Sequence, residues 1–380
     1  MIKSIIATTR EIDDAKAAVA EIISALDLEN SLLKNALGII SCFSEFAETG
    51  VLKAICDALP FECIGTTTCV SAAGQEIDQI ILVVTVLTSD DCEFQTVTIP
   101  IDDDYADSIN SSVTTLLESS SVKPSLILGY FPLSKTIGGD MILEVLDRTA
   151  DEIPVFGTVA VDHNVDYSTA GSIRNGEIYY DAAVLGTICG PVDISFEMAS
   201  LDENKIRKQK AIITESKGSL LIGVNDKSVR EYLQEIGLME SEFLGLVPFV
   251  IDHNDGTKPV ARAVYAFTPE GYAVCGGTMP VGATLSIGRV DADDVMYTTD
   301  YAYKQLIEKD SVVITYSCIA RYLALGLNIT SEAEKLRDAP KDGLNFHFAY
   351  SGGEICPLYD SDGKLKNYFH NYSIVFCKLK

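Results

Sequence analysis

The sequence predicts an α/β fold: mixed, largely antiparallel sheets covered by helices, in two domains, the N-terminal one built from an internal duplication. Three observations predict it. Segments with apolar residues at 3.6-residue spacing alternate with short apolar runs of strand length. One order of elements occurs twice within the first 200 residues. The chain has 380 residues, enough for about two domains, and its 47% hydrophobic and 22% charged content is that of a globular protein with ample side chain for a core.

The elements follow in order. Ile12, Ala15, Val19, Ile22, Ile23 and Leu26 share one helical face, so 12–26 is a helix. Residues 36–41 form a short buried strand, 47–59 a helix stopped by Pro60, and 62–66 another strand. Two longer strands, 79–88 and 92–101, are joined by the turn Ser89-Asp90-Asp91. The order then recurs: helix 103–118, strand 125–130, helix 138–149, strand 154–158, a hairpin turn at Asn175-Gly176, and strands 182–189 and 192–198. Residues 12–101 and 103–198 are therefore two pseudo-repeats, and Gly65-Thr66 should superpose on Gly157-Thr158. Charged, aperiodic 201–217 reads as a crossover linker between a domain of residues 1–200 and one of 218–380. Beyond it lie helix 228–235, strands 245–252, 261–268 and 271–276, helix 293–309, strand 311–316, helix 319–327, and strands 345–350 and 372–379.

Lys and Arg total 29 against 55 Asp and Glu, a net charge of −26. That field repels polyanions and anionic membranes, so nucleic acid is not an expected partner. The most apolar run, 80–87, is far shorter than the roughly 20 residues of a membrane-spanning helix. The N-terminus turns polar too soon for a signal peptide, and no membrane insertion is expected. Ten cysteines without C-x-x-C spacing read as buried reduced thiols of a cytoplasmic protein.

Common catalytic signatures are absent from the sequence: H-E-x-x-H, the P-loop, G-x-S-x-G and G-x-G-x-x-G. The four histidines, His163, His253, His347 and His370, are dispersed, which gives no metal cluster. Asp252-His253-Asn254-Asp255-Gly256 opens like a calcium loop but lacks its later Gly and Glu, so it reads as a solvated turn. Three clusters carry polar chemistry. Gly65-Thr66-Thr67-Thr68, with its counterpart Gly157-Thr158, offers backbone N–H and hydroxyl groups at a strand end, for a ligand or for an ordinary turn. Ser317-Cys318-Ile319-Ala320-Arg321 lies where a strand turns into a helix, and Arg321 stands in a first helical turn that disfavours cations. A carboxylate held bidentately explains it, as does an interdomain salt bridge. Tyr350-Ser351-Gly352-Gly353-Glu354-Ile355 places a carboxylate beside apolar residues, where it needs a cation or several donors.

These residues resemble the FIST proteins, a sensory module of an N-terminal and a C-terminal FIST domain. The resemblance rests on Cys63-Ile64-Gly65-Thr66-Thr67, Pro154-Val155-Phe156-Gly157, Ser317-Cys318-Ile319-Ala320-Arg321, Tyr350 through Ile355, and Asn371-Tyr372-Ser373. The chain departs from the family at Thr158, where a second glycine is usual, and at Ser373, where threonine is. The resemblance implies a small-molecule sensor, with amino acids as the proposed ligands and a separate output protein such as a kinase or cyclase as partner. Some members resemble haem-dependent nitric oxide sensors.

The expectation is a cytoplasmic, non-catalytic sensor of an amino acid or small carboxylate. Arg321 holds the carboxylate and Glu354 the ammonium, and the two share one cavity. Tyr350 and Asn371 supply hydrogen bonds, and Cys318, Gly352, Gly353, Thr66, Thr67, Gly157 and Thr158 complete the lining. No cofactor is required. Haem is the first alternative, with His347 as axial ligand. A cysteine-dependent enzyme with Cys318 activated beside Arg321 is the second.

Overall fold

Strand and helix alternate as expected, and they do so in three copies of one unit. The computed structural model describes residues 2–134, 137–164, 167–243, 246–306, 311–338, 345–360 and 362–380. Unit 1 runs β1 (Lys3–Thr9), α1 (Ala15–Leu26), α2 (Leu28–Ser31), β2 (Asn35–Cys42), α3 (Glu45–Glu48), α4 (Val51–Ala58), β3 (Cys63–Thr67), the hairpin β4 (Ser71–Ala73) and β5 (Glu76–Asp78), then β6 (Leu82–Ser89). Unit 2 runs β7 (Glu93–Pro100), α5 (Tyr105–Ser119), β8 (Pro124–Phe131), α6 (Gly139–Thr149), β9 (Val155–Val159), the hairpin β10 (Ser172–Arg174) and β11 (Glu177–Tyr179), then β12 (Ala182–Cys189).

Unit 3 starts with β13 (Ile194–Ala199) and is interrupted by an inserted β region. The insert holds β14 (Ala211–Lys217), β15 (Leu220–Val224), β16 (Lys227–Ser228), α7 (Val229–Glu235), β17 (Phe249–Asp252), β18 (Val260–Arg262), β19 (Val264–Phe267), β20 (Ala273–Cys275) and β21 (Thr284–Ile287). The unit resumes with α8 (Ala292–Leu306), β22 (Val312–Cys318), α9 (Ile319–Leu325), α10 (Ser331–Arg337), β23 (Asn345–Ser351), the hairpin β24 (Gly353–Tyr359) and β25 (Leu365–His370), then β26 (Ile374–Leu379).

Each unit builds one six-stranded sheet, in the orders β1-β6-β2-β3-β10-β11, β7-β12-β8-β9-β24-β25 and β13-β26-β22-β23-β4-β5. The last two strands of each sheet are the hairpin of another unit. Unit 1 receives the hairpin of unit 2, unit 2 that of unit 3, and unit 3 that of unit 1. The register repeats with the topology. Ser41 pairs with Thr66, Tyr130 with Thr158 and Tyr316 with Ala349 in the parallel pairs. The exchanged hairpins then place Ser172 on Thr66, Glu354 on Thr158 and Ser71 on Ala349. Gly65-Thr66 and Gly157-Thr158 are thus equivalent, as the duplication requires. Both glycines are steric necessities: a Cβ would lie 1.8 Å from the Ile40 carbonyl oxygen at Gly65 and 1.8 Å from that of Gly129 at Gly157.

The inner faces of the three sheets share a core that includes Ile39, Ile64, Leu128, Phe156, Ile314 and Val375. Helices cover the outer faces, with α1 and α4 on the first sheet and α5 and α6 on the second. The insert packs around a core of its own residues, from Ala211 to Ile287. Local chemistry sets the boundaries. Asp14 accepts hydrogen bonds from the Lys16 and Ala17 amides and starts α1 three residues later than the periodicity suggested. Asn175 and Gly176, both at positive φ, make the expected tight turn between β10 and β11.

Several expectations are corrected. Strands 79–88 and 92–101 are not a hairpin: β6 is flanked by β1 and β2, and β7 pairs with β12 in the second sheet. The repeat boundary therefore moves by one strand, each unit opening on its edge strand. The second half of the expected linker is β14, whose alternating exposure marks a one-sided strand. Of helix 293–309, residues 307–309 lie outside the described residues, as does Gly245 of strand 245–252.

Candidate functional site

Arg321 stands in the first turn of α9, as expected, and is 1% exposed. Its carboxylate partner is Glu332, not Glu354. Arg321 Nη2 donates to Glu332 Oε1 at 2.8 Å, to Thr299 Oγ1 at 2.8 Å and to the Val295 carbonyl at 3.0 Å. Nε donates to Glu332 Oε1 at 3.1 Å and Nη1 to Thr298 Oγ1 at 3.0 Å. Glu332 Oε2 accepts from Ser317 Oγ at 2.7 Å. Each edge of the guanidinium is engaged inside unit 3, so the residue forms a salt bridge, though one within a single unit and not the interdomain bridge expected. Removing one partner strands the other charge in the core, a cost of about 3–5 kcal/mol.

Glu354 opens β24, opposite Thr158 on β9, and has no accessible surface. Its Oε2 accepts from Ser373 Oγ at 2.7 Å, and its Oε1 has no partner. Burial pushes its carboxyl up to about 8, against the opposing effect of the Ser373 and Ser351 hydroxyls. A buried carboxyl with an idle oxygen is costly unless something else approaches it. Ser351 Oγ accepts from Thr158 Oγ1 at 2.7 Å and donates to the Gly353 carbonyl at 2.7 Å, which holds the strand entry rigid. The paired glycines let the backbone pass under two neighbours. A Cβ on Gly352 would stand 2.8 Å from the Ala160 carbonyl, and one on Gly353 would stand 2.3 Å from the Phe369 ring.

The facing wall comes from the insert. Asn371 joins the two bodies: its Oδ1 accepts from the Ala263 amide at 3.0 Å, and its backbone bridges to Ala261. Beside it, Arg262 is 4% exposed and pairs with no carboxylate among the described residues. Its Nη1 donates to the Phe369 carbonyl at 2.8 Å and its Nε has no partner. The guanidinium lies 5.9 Å from the Phe369 ring centre, a cation–π contact. Burial lowers the Arg262 pKa, and the nearby Asp140 carboxylate opposes that shift.

Tyr265 lies within electrostatic reach of Tyr167, Cys318, Glu354 and Tyr372, and it keeps 48% of its surface accessible. Cys318, Glu354 and Tyr372 are themselves buried. Three buried polar atoms without a partner belong to its electrostatic neighbours: Glu354 Oε1, Tyr372 Oη and Arg262 Nε.

The structure thus brings together Glu354, Cys318, Asn371, Thr158, Gly157, Gly352 and Gly353. It leaves out Arg321, Tyr350, Thr66 and Thr67. Tyr350 Oη donates to the Ile329 carbonyl at 2.9 Å within the outer core of unit 3. Thr66 and Thr67 hydroxyls donate to the Thr67 and Val161 carbonyls. Burial, followed by the Glu354 charge, raises the Cys318 thiol well above its usual range and outweighs Arg321, so the expected activation is reversed. His347, the expected haem ligand, is wholly buried, its Nδ1 lies 3.0 Å from Thr85 Oγ1, its Nε2 has no partner, and burial lowers its pKa to about 3. Among the described residues no group of three or more His, Cys, Asp or Glu is placed to hold a metal, and no helix is long and apolar enough to cross a membrane.

Sequence reasoning missed Arg262, Tyr265, Tyr167 and Tyr372. Arg262 left a trace, a lone charge in the apolar run from Val260 to Val264. The tyrosines left none, because what singles them out is their neighbours in space.

Comparison with known proteins came out as follows. A family model for the FIST N domain matches residues 36–227, and one for the FIST C domain matches 227–357. A search of curated proteins found no match. Among solved structures, a cyanuric acid hydrolase from A. caulinodans aligns over 99% of each chain at 7% identity and a TM-score of 0.41. A second cyanuric acid hydrolase structure aligns over 100% of this chain and 98% of its own, at 8% identity and a TM-score of 0.36.

Proposed function

The chain belongs to the FIST family, whose domains are sensory domains of signal transduction, and from that premise we propose that it senses an amino acid or small carboxylate in the space bounded by Tyr265, Glu354, Tyr372 and Arg262. The observation that carries this reading is a group of three buried, unpartnered polar atoms, on residues of both charge signs, that are electrostatic neighbours of one partly accessible tyrosine. Buried polar groups are normally satisfied, and idle ones mark a missing partner. Here the missing partner is a small zwitterion or acid: Glu354 takes an ammonium or donates its own proton, and the tyrosine hydroxyls accept or donate as the ligand requires.

Binding shifts a signalling protein only through unequal affinity for two states. Two bodies contribute to this site, so occupancy favours the state in which they are held together. The output passes to a separate signalling protein, such as a kinase or cyclase, in the cytoplasm. A thermal-shift screen of the twenty amino acids and small carboxylates tests the reading. A ligand at 100 times its dissociation constant adds about 2.7 kcal/mol of stability, and Glu354→Gln should weaken an ammonium-bearing hit. A panel that leaves the melting temperature unmoved overturns the reading.

A further inference from the structure

We infer that Arg262, carried by the inserted β region, is the anion-binding residue of this site, and that the anion is a carboxylate. The inference rests on the ligand site proposed above and assigns its charge-recognising half. Arg262 Nη1 is occupied by the Phe369 and Ala261 carbonyls, at 2.8 and 3.2 Å. Among the described residues neither Nε nor Nη2 has a protein acceptor. Those two N–H groups form the side-on edge of the guanidinium, the fork that matches two carboxylate oxygens. Asp140, the carboxylate that acts most strongly on Arg262, forms no ion pair with it among the described residues and accepts from the backbone amide and hydroxyl of Thr278.

Glycine backbone packs beside this edge. A Cβ on Gly277 would lie 2.8 Å from Arg262 Nε, and one on Gly276 would lie 2.4 Å from Asn371 Oδ1 and 2.9 Å from Tyr265 Oη. One fork and one tyrosine hydroxyl suit a monoanion, because burial lowers the pKa of the neighbouring His253 and His370 and keeps them from adding positive charge. A phosphate dianion calls for more positive charge than this. Arg262 arrives from the insert, whereas Glu354 and Tyr372 belong to the ring of sheets. A carboxylate held here therefore ties the insert to the ring.

The test uses the full chain and sodium acetate at constant ionic strength, read by thermal shift. The wild type should be stabilised saturably. Arg262→Ala should abolish the response, Arg262→Lys should weaken it at least tenfold by losing the fork, and Gly277→Ala should weaken it by crowding. Sulfate and phosphate should act at least tenfold more weakly than acetate. The lysine and glycine variants keep the test decisive if the alanine variant fails to fold. Acetate binding within twofold of wild type in Arg262→Ala or Arg262→Lys overturns the inference, and so does equal affinity for phosphate. If acetate has no effect while an amino acid from the screen still binds in a Glu354-dependent way, Arg262 loses this role and the ligand site stands. If neither binds, both readings fall.

Discussion

At the scale of the residue, two buried arginines divide the roles that sequence assigned to one. Arg321 is saturated by Glu332 and three further oxygen acceptors, so its energy goes into holding α8, α9 and α10 together. Arg262 is buried with its Nε unpaired. Glu354 supplies a pH prediction. Its folded pKa is raised to about 8 from an ordinary 4.5. Between those values the folded chain keeps a proton that the unfolded chain releases. The contribution of this group to stability is therefore full below about pH 4.5 and is lost as pH rises through about 8, by at most about 1.4 kcal/mol per pH unit. Glu354→Gln mimics the protonated carboxyl and should be flat in this window. Urea midpoints from pH 5 to 9 should show the variant gaining on the wild type as pH rises. A constant difference between the two counts against the assignment.

At the scale of the element, the parallel pairs β2–β3 and β8–β9 are held by glycines with no room for a side chain. Gly65→Ala and Gly157→Ala each drive a methyl into a backbone carbonyl 1.8 Å away, which no rotamer relieves. Each should cost at least about 2 kcal/mol, within the range of overpacked cores. Gly74→Ala, at positive φ with nothing within 4 Å, should cost about 1 kcal/mol. Chemical denaturation of the three variants checks this, and equal losses at all three would remove the steric account. Thr158 pairs with Glu354 one residue beyond Gly157, so the loss at 157 should also weaken ligand response, whereas the loss at 65 should not.

At the scale of the whole molecule, the ring of three sheets and the inserted β region have separate cores, and the proposed site draws on both. The insert leaves and returns on neighbouring strands, since Ala211 pairs with Leu285, and its core is its own. Replacing 211–287 with a short flexible linker should leave a cooperatively folding ring that no longer responds to acetate or to an amino acid. Circular dichroism melts and the same thermal-shift assay check both halves of the expectation. An excised chain that still binds would place the site wholly in the ring. The exchanged hairpins argue that the ring itself is not divisible. β3, β9 and β23 each take an edge partner from another unit, and a unit alone would expose that edge.

By itself the sequence determined the alternation of helix and strand, the equivalence of Gly65-Thr66 with Gly157-Thr158, the tight turn at Asn175-Gly176, and the setting of the Glu354 carboxylate among apolar residues. Those are local properties: periodicity, turn geometry and a charge among apolar neighbours act within a few residues. Only the tertiary structure decided the rest. The third unit hid because Phe348-Ala349 replaces Gly-Thr and because more than ninety residues of insert and connections part β13 from α8. β6 and β7 look like a hairpin because short connections usually join paired strands, yet β6 already has β1 and β2 on its two edges. Arg321 and Arg262 are both lone cations in apolar surroundings when read along the chain. Which of them meets a carboxylate depends on what α10 and β24 bring alongside. A buried charge is settled by its neighbours in space, so the choice between a structural pair and a ligand site lies in packing and not in spacing.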